Sequence, residues 1–290
     1  MPINSDFTKT FSAPAKINLF LHVLGQRPNG YHEIETVFQF LELEDQLTFE
    51  ITDAPSIIRQ SNHDYCKPED DLIIRAANSL KRYADKKRKT SNNKGAKISV
   101  SKCIPPGSGL GGGSSNAATT LIALNHLWEI GLSRKQLIEI GTQLGADVPV
   151  FLYGQSCWAT GVGERLTSHT PAENWYCIAI PNVHVSTQEI FSHPALIRNH
   201  PTLGLPSALD CSLIDTVNDL QAITALLYPK VQETLDILNQ YGSARMSGSG
   251  SSVFVSCGSH DKAKEIVGQL PNHITGFATR SLNRHPLINY

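Results

Sequence analysis

The chain has 290 residues, of which 40% are hydrophobic and 18% are charged, and its formal net charge is −1. This length fits one large or two medium domains, and the hydrophobic content excludes a disordered chain. The balanced charge gives no basic excess for a nucleic-acid partner, so any anion site must be local. No apolar run is long enough for a membrane helix, and no signal sequence is visible. The six cysteines lack the Cys-x-x-Cys spacing of a zinc site, and we expect reduced thiols in a cytoplasmic protein.

The spacing of apolar residues predicts both strands and helices. In chain order it predicts strands over 17–22, 37–43, 47–51, 97–103 and 253–255, and helices over 70–87, 116–128, 133–144 and 229–241. Asp70 or Asp71 is expected to cap the first helix, and Ser133 the third. Residues 145–149 are predicted to form a turn that ends the third helix.

The segment from Pro105 to Ala118 carries the clearest chemical signal. It contains five glycines between positions 107 and 113 and lies between a predicted strand and a predicted helix. Glycine tolerates positive φ and has no side chain, so successive backbone N–H groups can converge on an anion. The helix adds the positive end of its dipole, and Ser114 and Ser115 can offer hydroxyls to a phosphate or a metal ion. Residues 105–115, which we name the phosphate loop, are therefore predicted to bind the ATP triphosphate.

Three alternative assignments of this loop fit the sequence less well. A Walker A loop needs a lysine after its last glycine, but Gly113 follows Gly112 here. Gly107, Gly109 and Gly112 do match the dinucleotide-binding Gly-x-Gly-x-x-Gly motif. Its acidic partner should end a second strand, however, whereas Glu129 ends a predicted helix. A flexible linker would not lead directly into a well-patterned helix. The sequence disfavours the dinucleotide site and the linker without excluding them.

The phosphate loop resembles that of the kinase superfamily of galactokinase, homoserine kinase, mevalonate kinase and phosphomevalonate kinase. Further motifs narrow the resemblance to the branch that phosphorylates 4-diphosphocytidyl-2-C-methyl-D-erythritol. These motifs span most of the chain and occupy residues 14–21, 30–32, 145–151, 218–220 and 246–252. Each is short, and the specificity of the resemblance lies in their combination.

The resemblance implies an α/β (α+β) fold of two domains with the active site in the cleft between them. The N-terminal domain would be S5-like and bind ATP, and the C-terminal domain would be ferredoxin-like. A turn-rich stretch over 161–170 places these domains at residues 1–165 and 166–290.

The resemblance also implies the reaction and its partners. The chain would use ATP and Mg²⁺ to phosphorylate the 2-hydroxyl of the methylerythritol unit, in non-mevalonate isoprenoid precursor biosynthesis. Its partner would be this small-molecule cytidine-diphosphate substrate, without nucleic acid or membrane. We expect a monomer or a weak homodimer.

The resemblance assigns the catalytic pair to Asp147 and Lys16. Asp147 would face the substrate hydroxyl as base, and Lys16 would stabilise negative charge on the attacking oxygen. The hydroxyl is tertiary, so its positioning matters for the transfer. From the sequence alone, Asp147 could equally be an acidic residue in a turn, and Lys16 could point to solvent. Asn18 lies two residues after Lys16 on the same strand face, which favours a shared site.

The resemblance further implies how the substrate is held. Tyr31 and Phe191 would stack on the two faces of cytosine, and His32 would hydrogen-bond its edge. Thr187 would lie close by, and Asn18 completes the expected substrate site. Phe191 could instead be an ordinary core residue.

The expected ATP-binding residues are Lys102, Pro105, Pro106, Gly107, Ser108, Gly109, Leu110, Gly111, Gly112, Gly113, Ser114 and Ser115. The ligands of Mg²⁺ are unknown, and Ser114 and Ser115 are the candidates. Asp71 stands where the family more often has Asn, which leaves an adenine contact at this position open.

Two alternatives of function stay open at this stage. A homoserine or mevalonate kinase of the same superfamily should lack the Tyr31-His32 turn. A non-catalytic nucleotide-binding module should have lost Lys16 or Asp147, and both are present.

Overall fold

The computed structural model describes residues 8–60, 70–86, 94–204 and 216–290. Its strands are β1 (Thr8–Gln26), β2 (His32–Thr52), β3 (Ile57–Gln60), β4 (Gly95–Ser101), β5 (Cys157–Thr160), β6 (Arg165–Ser168), β7 (Trp175–Pro181), β8 (Arg245–Met246), β9 (Val253–Cys257) and β10 (Ile274–Leu282). Its helices are α1 (Leu72–Lys86), α2 (Gly112–Leu127), α3 (Arg134–Thr142), α4 (Val148–Tyr153), α5 (Thr187–Ser192), α6 (Gln221–Leu227), α7 (Pro229–Leu238) and α8 (His260–Gln269).

Strand β2 organises the sheet, because four other strands pair with it. It runs antiparallel to β1, β4, β5 and β10, and β3 extends the sheet by parallel pairing with β4. The strands predicted over 37–43 and 47–51 are one continuous strand. The acidic stretch between them stays in the sheet because the buried Asp45 carboxylate accepts hydrogen bonds from a lysine and two backbone N–H groups.

Helix α2 lies at the centre of the N-terminal half, where it contacts β1, β2, α1, α3 and α4. Every residue from Ser115 to Leu124 is buried. The helix begins at Gly112, earlier than the predicted start at residue 116. Gly111 precedes it in the left-handed conformation, and the packing around α2 outweighs the poor helix propensity of glycine.

The predicted helix caps are confirmed, and one predicted turn is partly wrong. Ser133 caps α3 through a capping box. The N–H of Ile73 donates to Oδ1 of Asp71 at 2.8 Å, which caps α1. The turn predicted over 145–149 is cut short because α4 begins at Val148. A proline in the first turn of α4 suits a helix start, since its missing N–H would be unpaired there.

The C-terminal half is a smaller antiparallel sheet with the order β10, β7, β9, β8. Helices α7 and α8 pack on this sheet, and a separate hydrophobic core lies between the helices and the sheet. Strand β10 also pairs with β2, so the sheets of the two halves are continuous. This two-part arrangement of sheets and helices confirms the predicted fold class.

A further cluster of buried side chains joins the two halves. It brings Ile17 of β1 and Leu110 of the phosphate loop against Ile178 of β7 and Phe254 of β9. The boundary predicted after residue 165 falls inside β6, which pairs with β5, and its position stays a prediction. In the part of the chain that the structure describes, no helix has both the length and the apolar character needed to cross a membrane.

Candidate active site

A cleft of about 480 Å³ lies between the phosphate loop and the C-terminal half. Most residues predicted from the sequence line it, namely Lys16, Asn18, Lys102, Pro105, Pro106, Gly107, Ser108, Gly109, Gly111, Gly112, Gly113, Ser114, Asp147, Thr187 and Phe191. Four predicted residues lie outside its wall. Leu110 and Ser115 belong to the phosphate loop but are fully buried. Tyr31 lies in the turn between β1 and β2, and His32 is the first residue of β2.

Three glycines in the left-handed conformation give the phosphate loop its shape. Gly107, Gly109 and Gly111 have φ angles of 69°, 79° and 74°. Because Gly111 is the N-cap of α2, the positive end of this helix and the free N–H groups of its first turn lie at the cleft. Ser114 lines the cleft, whereas the Ser115 hydroxyl is sealed and has no hydrogen-bond partner among the described residues. This geometry suits a bound phosphate group.

A buried carboxylate holds Lys102 at the base of the loop. Lys102 Nζ donates to Oδ2 of Asp45 at 2.5 Å. Oδ1 of Asp45 accepts the backbone N–H groups of Cys103 and Ile104 at 2.8 and 2.9 Å. A Cβ built on Gly112 would lie 3.4 Å from Lys102 Nζ, so the ammonium sits beside the first turn of α2. Sequence reasoning missed Asp45, because one acidic residue among several in a strand gives no signal of its own.

A second glycine-serine loop, residues 247–252, packs against the phosphate loop. The N–H of Ser252 donates to the carbonyl of Ser108 at 2.9 Å. Asn218 holds this second loop, since its Nδ2 donates at 2.8 Å to the carbonyl of Gly248 and also to that of the residue before the loop. The two loops therefore form one continuous wall of the cleft.

Lys16 and Asp147 meet inside the cleft. Lys16 Nζ lies 3.3 Å from Oδ2 of Asp147 and donates to Oδ1 of Asn18 at 2.7 Å. The Lys16 side chain is 4% exposed and that of Asp147 is 35% exposed, so the carboxylate is the member that a ligand can reach. Asp147 precedes α4 but makes no side-chain capping bond. Asp147 does lie in a turn, but its carboxylate does not stabilise that turn by capping α4 and instead contacts Lys16.

A chain of hydrogen bonds fixes the amide of Asn18. Its Nδ2 donates to Oγ1 of Thr36 at 3.0 Å, and its backbone N–H donates to Oγ of Ser247 at 3.1 Å. Thr36 in turn donates to the carbonyl of Phe20. Because Oδ1 is then left to accept from Lys16, this chain aims the ammonium group. Thr36 was not predicted, since a threonine in an apolar strand is unremarkable.

Of the aromatic residues predicted to bind the base, Phe191 lines the cleft and His32 packs against it. Tyr31 follows Gly30, which has a φ of 86°, and the residue is 64% exposed. The rings of His32 and Phe191 lie 5.0 Å apart at 38°. Burial, and then the nearby Arg198 guanidinium, lower the pKa of His32, so its imidazole is neutral at neutral pH. Sequence reasoning missed Arg198, which lies in a stretch without a regular pattern.

Asp71 serves the start of α1 and does not line the cleft. Besides capping the helix, its carboxylate accepts from Nε of Arg59 at 3.3 Å. Both of its oxygens are thus used by neighbouring protein groups.

Family models match both halves of the chain. The model described as "GHMP kinases N terminal domain" matches residues 71–155, which include α1, the phosphate loop and α2. The model described as "GHMP kinases C terminal" matches residues 194–275. Together with the two-part fold and the cleft, these matches define an ATP-dependent small-molecule kinase of the GHMP class.

Individual relatives narrow this class. The chain is 46% identical to the 4-diphosphocytidyl-2-C-methyl-D-erythritol kinase of Shewanella frigidimarina, with 98% of this chain and 95% of the relative covered. It is 44% identical to the enzyme of the same name from Shewanella oneidensis, with 99% and 98% covered. The chain therefore belongs to the 4-diphosphocytidyl-2-C-methyl-D-erythritol kinase family.

Solved structures agree with this placement. A crystal structure of 4-(cytidine 5'-diphospho)-2C-methyl-D-erythritol kinase matches with a TM-score of 0.81 and 30% identity, and covers 94% of this chain and 99% of that chain. The mevalonate kinase of Methanococcus jannaschii matches with a TM-score of 0.69 and 17% identity, over 97% and 100% of the two chains. The second likeness is one of fold alone.

Proposed function

We propose that this kinase transfers the γ-phosphoryl group of ATP to the 2-hydroxyl of 4-diphosphocytidyl-2-C-methyl-D-erythritol, in non-mevalonate isoprenoid precursor biosynthesis. The observation that carries the proposal is the Lys16–Asp147 pair, which shares one cleft with the phosphate loop and with Phe191. A phosphate loop alone would fit many nucleotide-binding proteins. A reachable carboxylate beside a buried cation supports phosphoryl transfer to an alcohol. The names of the relatives supply the substrate.

The geometry of the catalytic pair supports the following roles. Asp147 orients the substrate hydroxyl and accepts its proton as the phosphoryl group is transferred. Lys16 stabilises the negative charge of the attacking oxygen, and Asn18 keeps the ammonium aimed at that point. The N–H groups at the start of α2 and the Lys102 ammonium offset the charge of the ATP phosphates.

We propose Mg²⁺ as the metal that accompanies ATP. Of the two candidate ligands, the Ser114 hydroxyl lines the cleft and is an oxygen ligand of the type that Mg²⁺ takes. Over the described residues there is no cluster of three or more His, Cys, Asp or Glu side chains that could hold a metal alone. Mg²⁺ commonly combines one or two protein groups with phosphate oxygens and water, so a single serine hydroxyl beside the ATP phosphates fits it. When bound, the ion neutralises charge on the transferring phosphoryl group.

The substrate's base is assigned to the other end of the cleft. Tyr31 and Phe191 would stack on cytosine, and His32 would bond its edge. Oγ1 of Thr187 lies 2.8 Å from Oγ of Ser249, so Thr187 links this end to the second glycine-serine loop. This link supports a substrate diphosphate lying between the base and the catalytic pair.

We further propose a cytoplasmic enzyme that acts as a monomer or weak homodimer, without nucleic acid. The four cysteines in the described residues are free thiols, which agrees with a reducing compartment.

An ADP-release assay with three acceptors tests the proposal. The purified chain receives ATP, Mg²⁺ and either 4-diphosphocytidyl-2-C-methyl-D-erythritol, homoserine or mevalonate, with an acceptor-free reaction as control. We expect turnover of about 1–100 per second with the first acceptor only. Absence of turnover with the cytidyl acceptor, or faster turnover with another, would contradict the proposed substrate.

A further inference from the structure

Arg198 joins the two sides of the base site with a single guanidinium group. Its Nε donates to Nε2 of His32 at 2.9 Å. One terminal nitrogen donates to the carbonyls of Phe191 and His193 at 2.8 and 3.0 Å, and the other donates to the carbonyl of Leu196 at 3.1 Å. The group therefore binds the end of α5, which carries Phe191, and the ring of His32 at the same time.

The contact with His32 determines where the imidazole carries its proton. An arginine guanidinium only donates hydrogen bonds, so Nε2 of His32 must present a lone pair to it. In the neutral ring the proton then lies on Nδ1. Within the described residues no hydrogen bond reaches Nδ1, and it is not a buried unpaired atom. The Nδ1–H group of His32 therefore remains available to donate to a ligand.

A fixed donor distinguishes the two pyrimidine bases. Cytosine has an unprotonated N3, which accepts a hydrogen bond, whereas uracil carries a hydrogen at N3. An N–H donor that pairs with N3 of cytosine therefore meets another donor on uracil, and a polar site left unpaired in this way rejects the wrong ligand strongly. If the proton were on Nε2, with Nδ1 as acceptor, this preference would be reversed.

We propose that Arg198 is a positioning residue that makes the site specific for cytosine. It fixes His32 as an Nδ1–H donor and holds this donor at a set distance from the Phe191 ring. The inference rests on the proposed function, because it takes the cytidyl group as the ligand. Arg198 acts through His32 and needs no contact with the base.

A double-mutant cycle tests this role. We measure kcat/KM with the cytidyl substrate and with its uridyl analogue for wild type, Arg198→Met, His32→Ala and the double variant. Arg198→Met is expected to reduce the cytidyl-to-uridyl ratio by about tenfold or more, with the KM for ATP nearly unchanged. In the His32→Ala background the same substitution should leave the ratio unchanged, because its target is gone. An equal loss in both backgrounds overturns the proposal.

The tautomer is read separately from the imidazole ¹⁵N resonances of His32 in the free enzyme, above the usual histidine pKa. Wild type should give the Nδ1–H form, and Arg198→Met should shift it toward the Nε2–H form. An Nε2–H signal in wild type rejects the proposal. Arg280→Met is the matched control, since Arg280 pairs with Glu173 on the exposed side of β10 and should change neither ratio nor spectrum.

The two proposals fail in different ways. If wild type does not turn over the cytidyl substrate, both the proposed function and the assignment of the cytosine site are rejected. Normal turnover by wild type with an unchanged base ratio in a folded Arg198→Met would reject the role of Arg198 alone.

Discussion

Nζ of Lys16 lies 3.3 Å from Oδ2 of Asp147, and Gly111 of the phosphate loop leaves the space for this contact. A Cβ at Gly111 would lie 3.1 Å from Cε of Lys16 and 3.0 Å from Cζ of Phe151. The backbone N–H of Lys16 also donates to the carbonyl of Leu110 at 2.9 Å. Gly111, the N-cap of α2, thus also packs against the side chain of Lys16, so the loop of residues 105–115 and the Lys16–Asp147 pair form one packed unit.

Asp147→Asn should remove the base without disturbing the fold. The substitution keeps the shape of the side chain, and the carboxylate makes no capping bond that α4 needs. We expect kcat to fall about 10²–10⁴-fold. The thermal unfolding midpoint should fall only modestly, because the buried Lys16 ammonium loses its charge partner but keeps its hydrogen bond to Asn18, and the Asp147 side chain is partly exposed. Asp236→Asn, on the exposed face of α7, is the control and should keep full activity. An Asp147→Asn variant with near wild-type kcat would show that the base lies elsewhere.

Tyr31→Ala should weaken the cytidyl substrate and spare ATP. Tyr31 is 64% exposed, so removal of its ring costs little stability. Loss of one stacking face is worth about 1–3 kcal/mol, which corresponds to a rise in KM of roughly 5–150-fold. Tyr31→Phe keeps the ring and should retain most of the affinity. Equal increases in KM for both ligands would be inconsistent with a base-stacking role.

The sequence predicted the elements of the fold better than their junctions. The apolar stripes of α1 and α7 and the cap at Ser133 are local signals, and they located these helices well. The start of α2 was misplaced because Gly112 and Gly113 are poor helix formers that tertiary packing holds in a helix. The continuity of β2 depends on the pairing of Asp45 with a distant lysine, which no local pattern encodes.

In the candidate site too, the sequence indicated the residues that stand in short motifs but not those that act through long-range contacts. Lys16, Asp147 and the phosphate loop stand in short motifs, so resemblance could indicate them. Thr36 and Arg198 act through long-range hydrogen bonds to Asn18 and His32. Their residue types are ordinary for their positions, and only the folded chain brings them to Asn18 and His32.

Gly109 and Gly113 provide a matched pair of glycine substitutions. At Gly109 φ is 79°, and a Cβ would lie 2.5 Å from the carbonyl oxygen of Gly250, so the two glycine loops would be forced apart. We expect Gly109→Ala to reduce the free energy of unfolding by at least about 2 kcal/mol. A Cβ at Gly113 would lie 3.5 Å from Cδ1 of Leu72, its nearest neighbour, which is an ordinary contact. Gly113→Ala should therefore not reduce the free energy of unfolding. Urea denaturation measures both values, and equal losses would refute the steric argument.

Asp45→Asn tests the buried carboxylate that holds Lys102. The substitution leaves a largely buried ammonium without its charge partner, and we expect a loss of about 3 kcal/mol in the free energy of unfolding. The KM for ATP should rise as Lys102 loses its fixed position. Glu50→Gln is the control, because the Glu50–Lys97 pair is partly exposed on the same sheet and should contribute less than about 1 kcal/mol. A similar cost for both variants would argue against a special role of Asp45.

His285 predicts a specific acid sensitivity of the fold. Its ring is packed near Phe40 and Phe151, and Nδ1 accepts the N–H of Leu287 at 3.0 Å. Burial, and then the Arg134 guanidinium, lower the pKa of His285 to about 3. Protonation of Nδ1 in the folded state would also break the bond from Leu287.

The sign of the effect follows from this lowered pKa. Above pH about 6.5, His285 is neutral in both the folded and the unfolded chain and adds no pH dependence. As the pH falls from about 6.5 toward 3, the unfolded chain takes up a proton that the folded chain does not. The free energy of unfolding should then fall by roughly 1.4 kcal/mol per pH unit from this group. His285→Asn keeps an acceptor for Leu287 and removes the titration, so its stability should fall less steeply in this range, whatever its value at neutral pH. Urea denaturation at several pH values gives both slopes, and parallel slopes for the variant and wild type would contradict the assignment.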